Sequence, residues 1–363
     1  VILAGEVKMI RIITFLSTFL VFSFGSAYAD PKKVGFIYIG PPGDHGWTYM
    51  HDVGRKYMES QLGDSITTTY LENIPENADA VRAIRKLADS GHDLIFTTSF
   101  NYMDQTHEVA KDFPDIKFEH ATGYIQADNV ATYSARFYEG RMIEGHIAGH
   151  MTETNTIGYI ASFPIPEVVR GINAFYLAAA KVNPDIKMKI IWVFTWYDPG
   201  KEADAANTLI NQGADIIVQH TDTYAPCQAA QKAGVYAFGQ ASNQEEFCPD
   251  AHLTSIEDIW GPYYAARAKA VVDGTWSSGD TWDGMDKGMV VMSPYNTKLM
   301  PASLIQEAVN MEVGIKDGTI HPFTGPIYNQ AGELVVPEGE VAPDGMLLGM
   351  NFYVQGIDGE VPQ

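Results

Sequence analysis

Cysteine and positive charge are both scarce in this chain. Of 363 residues only Cys227 and Cys248 are cysteines. Neither reads as a catalytic or metal-binding thiol, and a disulfide between them and a pair of buried free thiols stand as open alternatives. Lysine and arginine together number 24 against 45 aspartates and glutamates, a formal net charge of −21. So acidic a surface repels phosphate backbones and anionic lipid, which argues against nucleic acid and membrane surfaces as partners. Catalytic signatures are missing too: there is no Gly-x-Ser-x-Gly elbow, no Walker Gly-x-x-x-x-Gly-Lys and no His-Glu-x-x-His. His146 and His150 stand four apart with Glu144 nearby, a metal-like spacing, but Gly140, Gly145, Ala148 and Gly149 give the same helix a close-packing face. The two are therefore read as packed or surface histidines, with no metal and no cofactor expected.

Long apolar runs are absent apart from Ile12 to Phe24, which follows Met9 and Arg11 and precedes Ala27-Tyr28-Ala29. That charged, apolar and small-residue order is the order of a secretory signal, here cleaved after Ala29. The run is too short to span a bilayer comfortably. No cysteine stands at the cleavage point, so no lipid anchor is indicated, and the chain from Asp30 onward is expected free in the periplasm as a monomer.

What is present is a large apolar complement, 46% hydrophobic and 12% aromatic, enough for two domains. The segment Lys33 to Tyr49 is the most informative: an apolar run breaks into Gly40-Pro41-Pro42-Gly43 and then Asp44-His45-Gly46-Trp47. That is a core strand opening onto a binding loop at its carboxyl end, where open α/β sheets hold ligands. Strand patterns at 34–39, 65–71, 94–98 and 117–121 alternate with helical ones at 49–61, 77–90, 103–112 and 134–151. The same grammar restarts at Thr156 and continues to a helix over 302–317. Such βαβ series give parallel sheets with helices on both faces. The expected architecture is α/β, two doubly wound parallel-sheet lobes with a ligand cleft between them: signal 1–29, first lobe 30–153 plus 257–293, second lobe 154–256 plus 294–363. Crossings are expected near 151–155 and 256–260, and an apolar stretch at 346–354 reads as a late strand of the second lobe.

Gly43 to Thr48, Phe113-Pro114-Asp115-Ile116-Lys117-Phe118, Asn129-Val130, Phe137-Tyr138-Glu139-Gly140 and Gln212 to Ile217, in this order, resemble the basic membrane protein family. The resemblance implies a type I periplasmic binding fold, an ABC importer with permease subunits as partners, no enzymatic activity, and a purine nucleoside as ligand. Against the family pattern, this chain keeps Asp44 but has Tyr38 for an Asp and Trp47 for a Phe, which retains a flat stacking surface. Trp196 stands at the aromatic position of the second half, with Phe194 and Tyr197 as neighbours that an altered register would substitute. Phe100 is a third cleft aromatic. Where the family binds ribose, Ala241 replaces an Asp and Asp258 replaces a Lys. A sugar hydroxyl gains nothing from Ala241, so the ligand expected is a free base such as adenine, with a nucleoside, a sugar or a signalling molecule as alternatives and a nucleoside hydrolase as the enzymatic one. Asp44, Asp222, Gln240 and Asn243 are the polar groups placed to read its edge.

Overall fold

The computed structural model describes residues 30–363; the expected signal lies outside the described residues. The first sheet is built from β1 (Lys32–Ile37), α1 (Trp47–Leu62), β2 (Ile66–Leu71), α2 (Ala78–Asp89), β3 (Leu94–Thr97), α3 (Met103–Asp112), β4 (Lys117–Ala121) and β5 (Val130–Ala135). All four residues of β3 are buried, as a central parallel strand with covered faces requires. In α2, Ala80, Ala83, Ile84, Leu87 and Ala88 repeat at helical spacing on the buried side, and the Asn77 side chain accepts from the Asp79 amide to cap its start.

After α4 (Tyr138–Met151) the second sheet follows: β6 (Thr156–Ala161), α5 (Pro166–Val182), β7 (Lys187–Trp192), α6 (Pro199–Asn211), β8 (Ile216–His220), α7 (Ala225–Ala233), β9 (Tyr236–Gly239) and β10 (His252–Asp258). The chain then returns through α8 (Gly261–Asp273) and β11 (Asp280–Asp283) to β12 (Val290–Met292), and ends in α9 (Ala302–Lys316), β13 (Ile327–Tyr328), β14 (Leu334–Val336) and α10 (Asp344–Leu348). The first sheet has the order β11-β5-β4-β3-β1-β2 and the second β12-β10-β9-β8-β6-β7. Helices α4 and α5 pack so closely that a Cβ on Gly145 would lie 2.1 Å from the Phe175 carbonyl oxygen, so that position needs glycine. Cys227 on α7 is joined by a disulfide to Cys248, just ahead of β10.

Three details differ from the sequence reading. β12, expected with the first lobe, pairs antiparallel with β10 in the second sheet, Glu257 opposite Val291. The first crossing falls at Arg136–Phe137 instead of 151–155, because α4 already packs against α5. The stretch 346–354 is no strand: Pro343 leads into α10, and the buried Tyr353 and Val354 dock on α5, where the Asn173 side chain donates to Phe352 O at 2.8 Å and accepts from Val354 N at 3.1 Å.

The remaining crossings run through Ile259–Trp260 and through 284–289. They are tied to one another. Arg136 N donates to Asp283 O at 2.9 Å, Ile259 N donates to Met289 O at 2.9 Å, and the Glu139 carboxylate accepts from Met285 N at 2.7 Å. Trp260, fully buried, stacks on His51 with 5.0 Å between ring centroids.

Candidate ligand-binding site

The carboxyl ends of β1, β3, β4, β6, β8 and β9 face one another across the gap between the lobes, the place where parallel sheets present their loops. A cavity there, about 380 Å³ of space free of protein atoms and partly open to solvent, is lined by Ile39, Trp47, Ser99, Phe100 and Thr122 from the first lobe and by Glu167, Trp196, His220, Asp222 and Gln240 from the second. The lobes are drawn together over it. Trp196 Nε1 donates to Glu76 Oε2 at 3.3 Å, the Ser242 hydroxyl donates to the His45 carbonyl, and a Cβ on Gly46 would lie 2.1 Å from Asp222 O.

Trp47, Trp196, Phe100, Asp222 and Gln240, all anticipated from the sequence, line this cavity. Trp47 opens α1 and is set by a 2.7 Å bond from its Nε1 to Thr98 O and by edge contacts to His51 and Trp260. Trp196 packs on Phe163 at 5.0 Å, whereas Phe194 and Tyr197 are exposed and outside the lining. Asp222 is buried and its Oδ2 has no partner within the protein. Burial, reinforced by the Asp44, Glu202, Asp258 and Glu76 carboxylates, pushes its pKa well above the usual range. Gln240 has its side-chain oxygen held by Arg141, which leaves the amide nitrogen as its open group.

Three anticipated residues fall elsewhere. Tyr38, just past the end of β1, is buried in the first lobe's core between Phe36 and Tyr70, its hydroxyl 3.4 Å from Asp52 Oδ1, and the next residue, Ile39, reaches the cavity. Asp44 is occupied by backbone: its carboxylate accepts from the amides of Gly46, Thr48 and Tyr49 at 2.9, 3.0 and 2.9 Å, at the start of α1. Burial raises its pKa to about 6 despite those bonds. Asn243 accepts from Glu245 N at 2.9 Å and fixes a surface turn.

Glu167 and His220 escaped the sequence reading. His220 ends β8, Glu167 lies in the first turn of α5, and the two side chains meet at 3.4 Å. Burial holds the His220 pKa below its ordinary value, against the pull of Glu167. His220 closes one parallel strand and Glu167 opens the helix that follows another, and that placement near carboxyl strand ends, which the switch-point rule marks, was the available signal. Ala241 has φ +64°, and its carbonyl accepts from Asp258 N at 2.9 Å. Neither Ala241 nor Asp258 lines the cavity.

A cleft of this kind holds a flat ligand between aromatics and reads its edge with buried polar groups. The family model described as Bmp, ABC transporter substrate-binding protein PnrA-like, matches residues 31–329. The chain belongs to the Bmp family. Its members are substrate-binding proteins, not enzymes, so this Bmp protein works with a small-molecule ligand and permease partners. It is 57% identical to a purine-binding protein of Brucella abortus over 93% of this chain and 97% of that one. A Haloferax volcanii protein that bears the provisional name of an ABC transporter glucose-binding protein is 35% identical over 93% of this chain and 83% of its own. Among solved structures, an ABC transporter solute-binding protein from Aeropyrum pernix superimposes with a TM-score of 0.70 at 19% identity, covering 80% of this chain and 93% of that one. That likeness gives the type I periplasmic binding fold.

Proposed function

We propose that this Bmp protein is exported to the periplasm, works as a monomer, and captures a free purine base, adenine first among them, for delivery to its permease. The observation that carries the reading is the unpartnered Asp222 Oδ2, enclosed beside a cavity walled by Trp47, Phe100 and Trp196. A buried carboxylate oxygen without a donor is costly, and a planar ligand bearing N–H groups supplies one. A free base carries more such groups than its nucleoside, whose glycosidic nitrogen is substituted. Glu167 offers a second acceptor and Gln240 a donor, which suits the mixed edge of a purine. The 57% identical relative from Brucella abortus is named a purine-binding protein, which supports the ring class.

Ala241 and Asp258, at the positions where the family resemblance implies ribose contacts, lie outside the cavity lining, so the choice of base over nucleoside rests on the count of N–H groups. The mechanism is capture without chemistry: the ligand bridges both lobes, favours the closed form, and that form docks on the permease. Among the described residues no helix is long and apolar enough to cross a membrane. Calorimetry with adenine, adenosine, guanine, guanosine and glucose tests the reading. Tighter binding of a nucleoside than of its base overturns the choice of base, and tighter binding of glucose overturns the purine.

A further inference from the structure

On the second lobe, outside the cleft lining, α4 presents His146 and His150 one turn apart, and α9 brings Glu307 against both. The Nε2 atoms of the two histidines lie 3.0 and 3.6 Å from the same oxygen, Glu307 Oε2. One ligand atom from each of the three side chains can be chosen so that all lie within 4.8 Å of one another.

We propose that His146, His150 and Glu307 form a surface site for a divalent transition ion of the zinc class, which staples α4 to α9. Nitrogen and oxygen ligands at about 2.0–2.2 Å in a tetrahedron stand about 3.3 Å apart, and the two measured separations straddle that distance. The two imidazole centroids are 4.8 Å apart, close enough for both rings to face one ion beside Glu307. Imidazole and carboxylate are a fitting donor set for an ion of intermediate softness. His150 and Glu307 are open to solvent, His146 less so, which leaves water to complete the coordination and gives the ion a route in. The formal charge of −21 raises the local concentration of cations. The sequence showed the histidine pair but not the third group, which comes from a helix more than 150 residues further on; a pair alone is commonplace, and the carboxylate converging on it makes the site.

The full chain, prepared without a polyhistidine tag and stripped with chelator, is titrated with zinc chloride in a calorimeter, beside His150→Ala and Glu307→Gln. The expected result is one ion per chain, with each variant weakened by more than the roughly 10- to 100-fold that loss of an outer-shell partner costs. Zinc also raises the melting temperature of the parent protein and not that of the variants. Purine affinity, measured in parallel, stays the same in all three and shows that the variants are folded. No saturable uptake by the parent, or uptake that both variants retain in full, overturns the proposal and leaves the cluster a pair of ordinary surface contacts.

Discussion

The indole of Trp196, on the second lobe, donates at 3.3 Å to the Glu76 carboxylate on the first. Glu76 in turn accepts from the Ser99 hydroxyl and from the Asn101 side chain, so this one carboxylate fastens the loop after β3 and grips the opposite lobe. The bond therefore ties one lobe to the other across the cleft.

Trp196→Phe keeps a ring in the cavity wall and removes that bond. Hydrogen bonds to charged groups contribute about 1.5–3 kcal/mol, and the length of this one points to the lower end. Ligand affinity should fall by roughly tenfold, equivalent to about 1.4 kcal/mol. Calorimetry measures the loss, and small-angle scattering of the free protein should show a more open average shape. Unchanged affinity would mean that the contact carries no closing energy.

Trp47 does two jobs, and substitutions separate them. Trp47→Ala removes the stacking face, expected to weaken purine binding by about 1–3 kcal/mol. It also opens a hole beside His51 and Trp260 and abolishes the bond to Thr98, so the melting temperature should fall as well. Trp47→Phe should recover much of the binding and less of the stability. Equal recovery of both would show that the ring acts in packing alone.

How much of this was legible beforehand depends on what each residue needed. Trp47 was visible because a Gly/Pro break after an apolar run announces a loop at a strand end. Tyr38 was misplaced because, just past the end of β1, one residue decides between core and cavity: Tyr38 is buried and Ile39 reaches the cleft. Asp44 stays outside the cavity lining because three backbone amides use its carboxylate, a local demand that the sequence does not show. Glu167 and His220 read as ordinary polar residues until the sheet order put the ends of β6 and β8 at the cleft. β11 and β12 are short edge strands, Asp280–Asp283 and Val290–Met292, whose pairing is decided by distant partners.

Asp222→Asn should trade binding for stability. Burial raises the native pKa above the unfolded value of about 3.9. The native state therefore holds a proton that the unfolded state has lost, and stability declines as pH rises from there towards the native pKa. Asparagine escapes that decline, so the ligand-free variant should melt above the parent at neutral pH while binding adenine more weakly, by about 1–3 kcal/mol. Thermal melts with and without adenine read both effects; a variant that melts lower when free contradicts the account.

Glu139 at the crossings has its pKa raised by burial from 4.5 to about 7. The same direction follows: its contribution becomes less favourable between pH of about 4.5 and 7, by an amount on the order of 3 kcal/mol, and is level above. The stability of Glu139→Gln relative to the parent should climb across that window and then stay constant. Denaturant melts at a series of pH values test this, and a flat difference would exclude it.

Cys227→Ser removes the link between α7 and the turn before β10. A loop of that size is worth roughly 3 kcal/mol, which should appear as a lower melting temperature in the oxidised protein and disappear when both proteins are reduced. Purine affinity should be unaffected, since neither cysteine lines the cavity.

Of the chain's six tryptophans, Trp47 and Trp196 flank the cavity while Trp260 is sealed at the crossings against His51. This arrangement makes the protein its own optical reporter. A planar ligand seated between the lobes changes the surroundings of the first two indoles, and Trp260, in edge contact with Trp47, is coupled to that change. Capture and release can then be followed in real time without a dye, and Trp47→Phe and Trp196→Phe assign the signal to one jaw or the other.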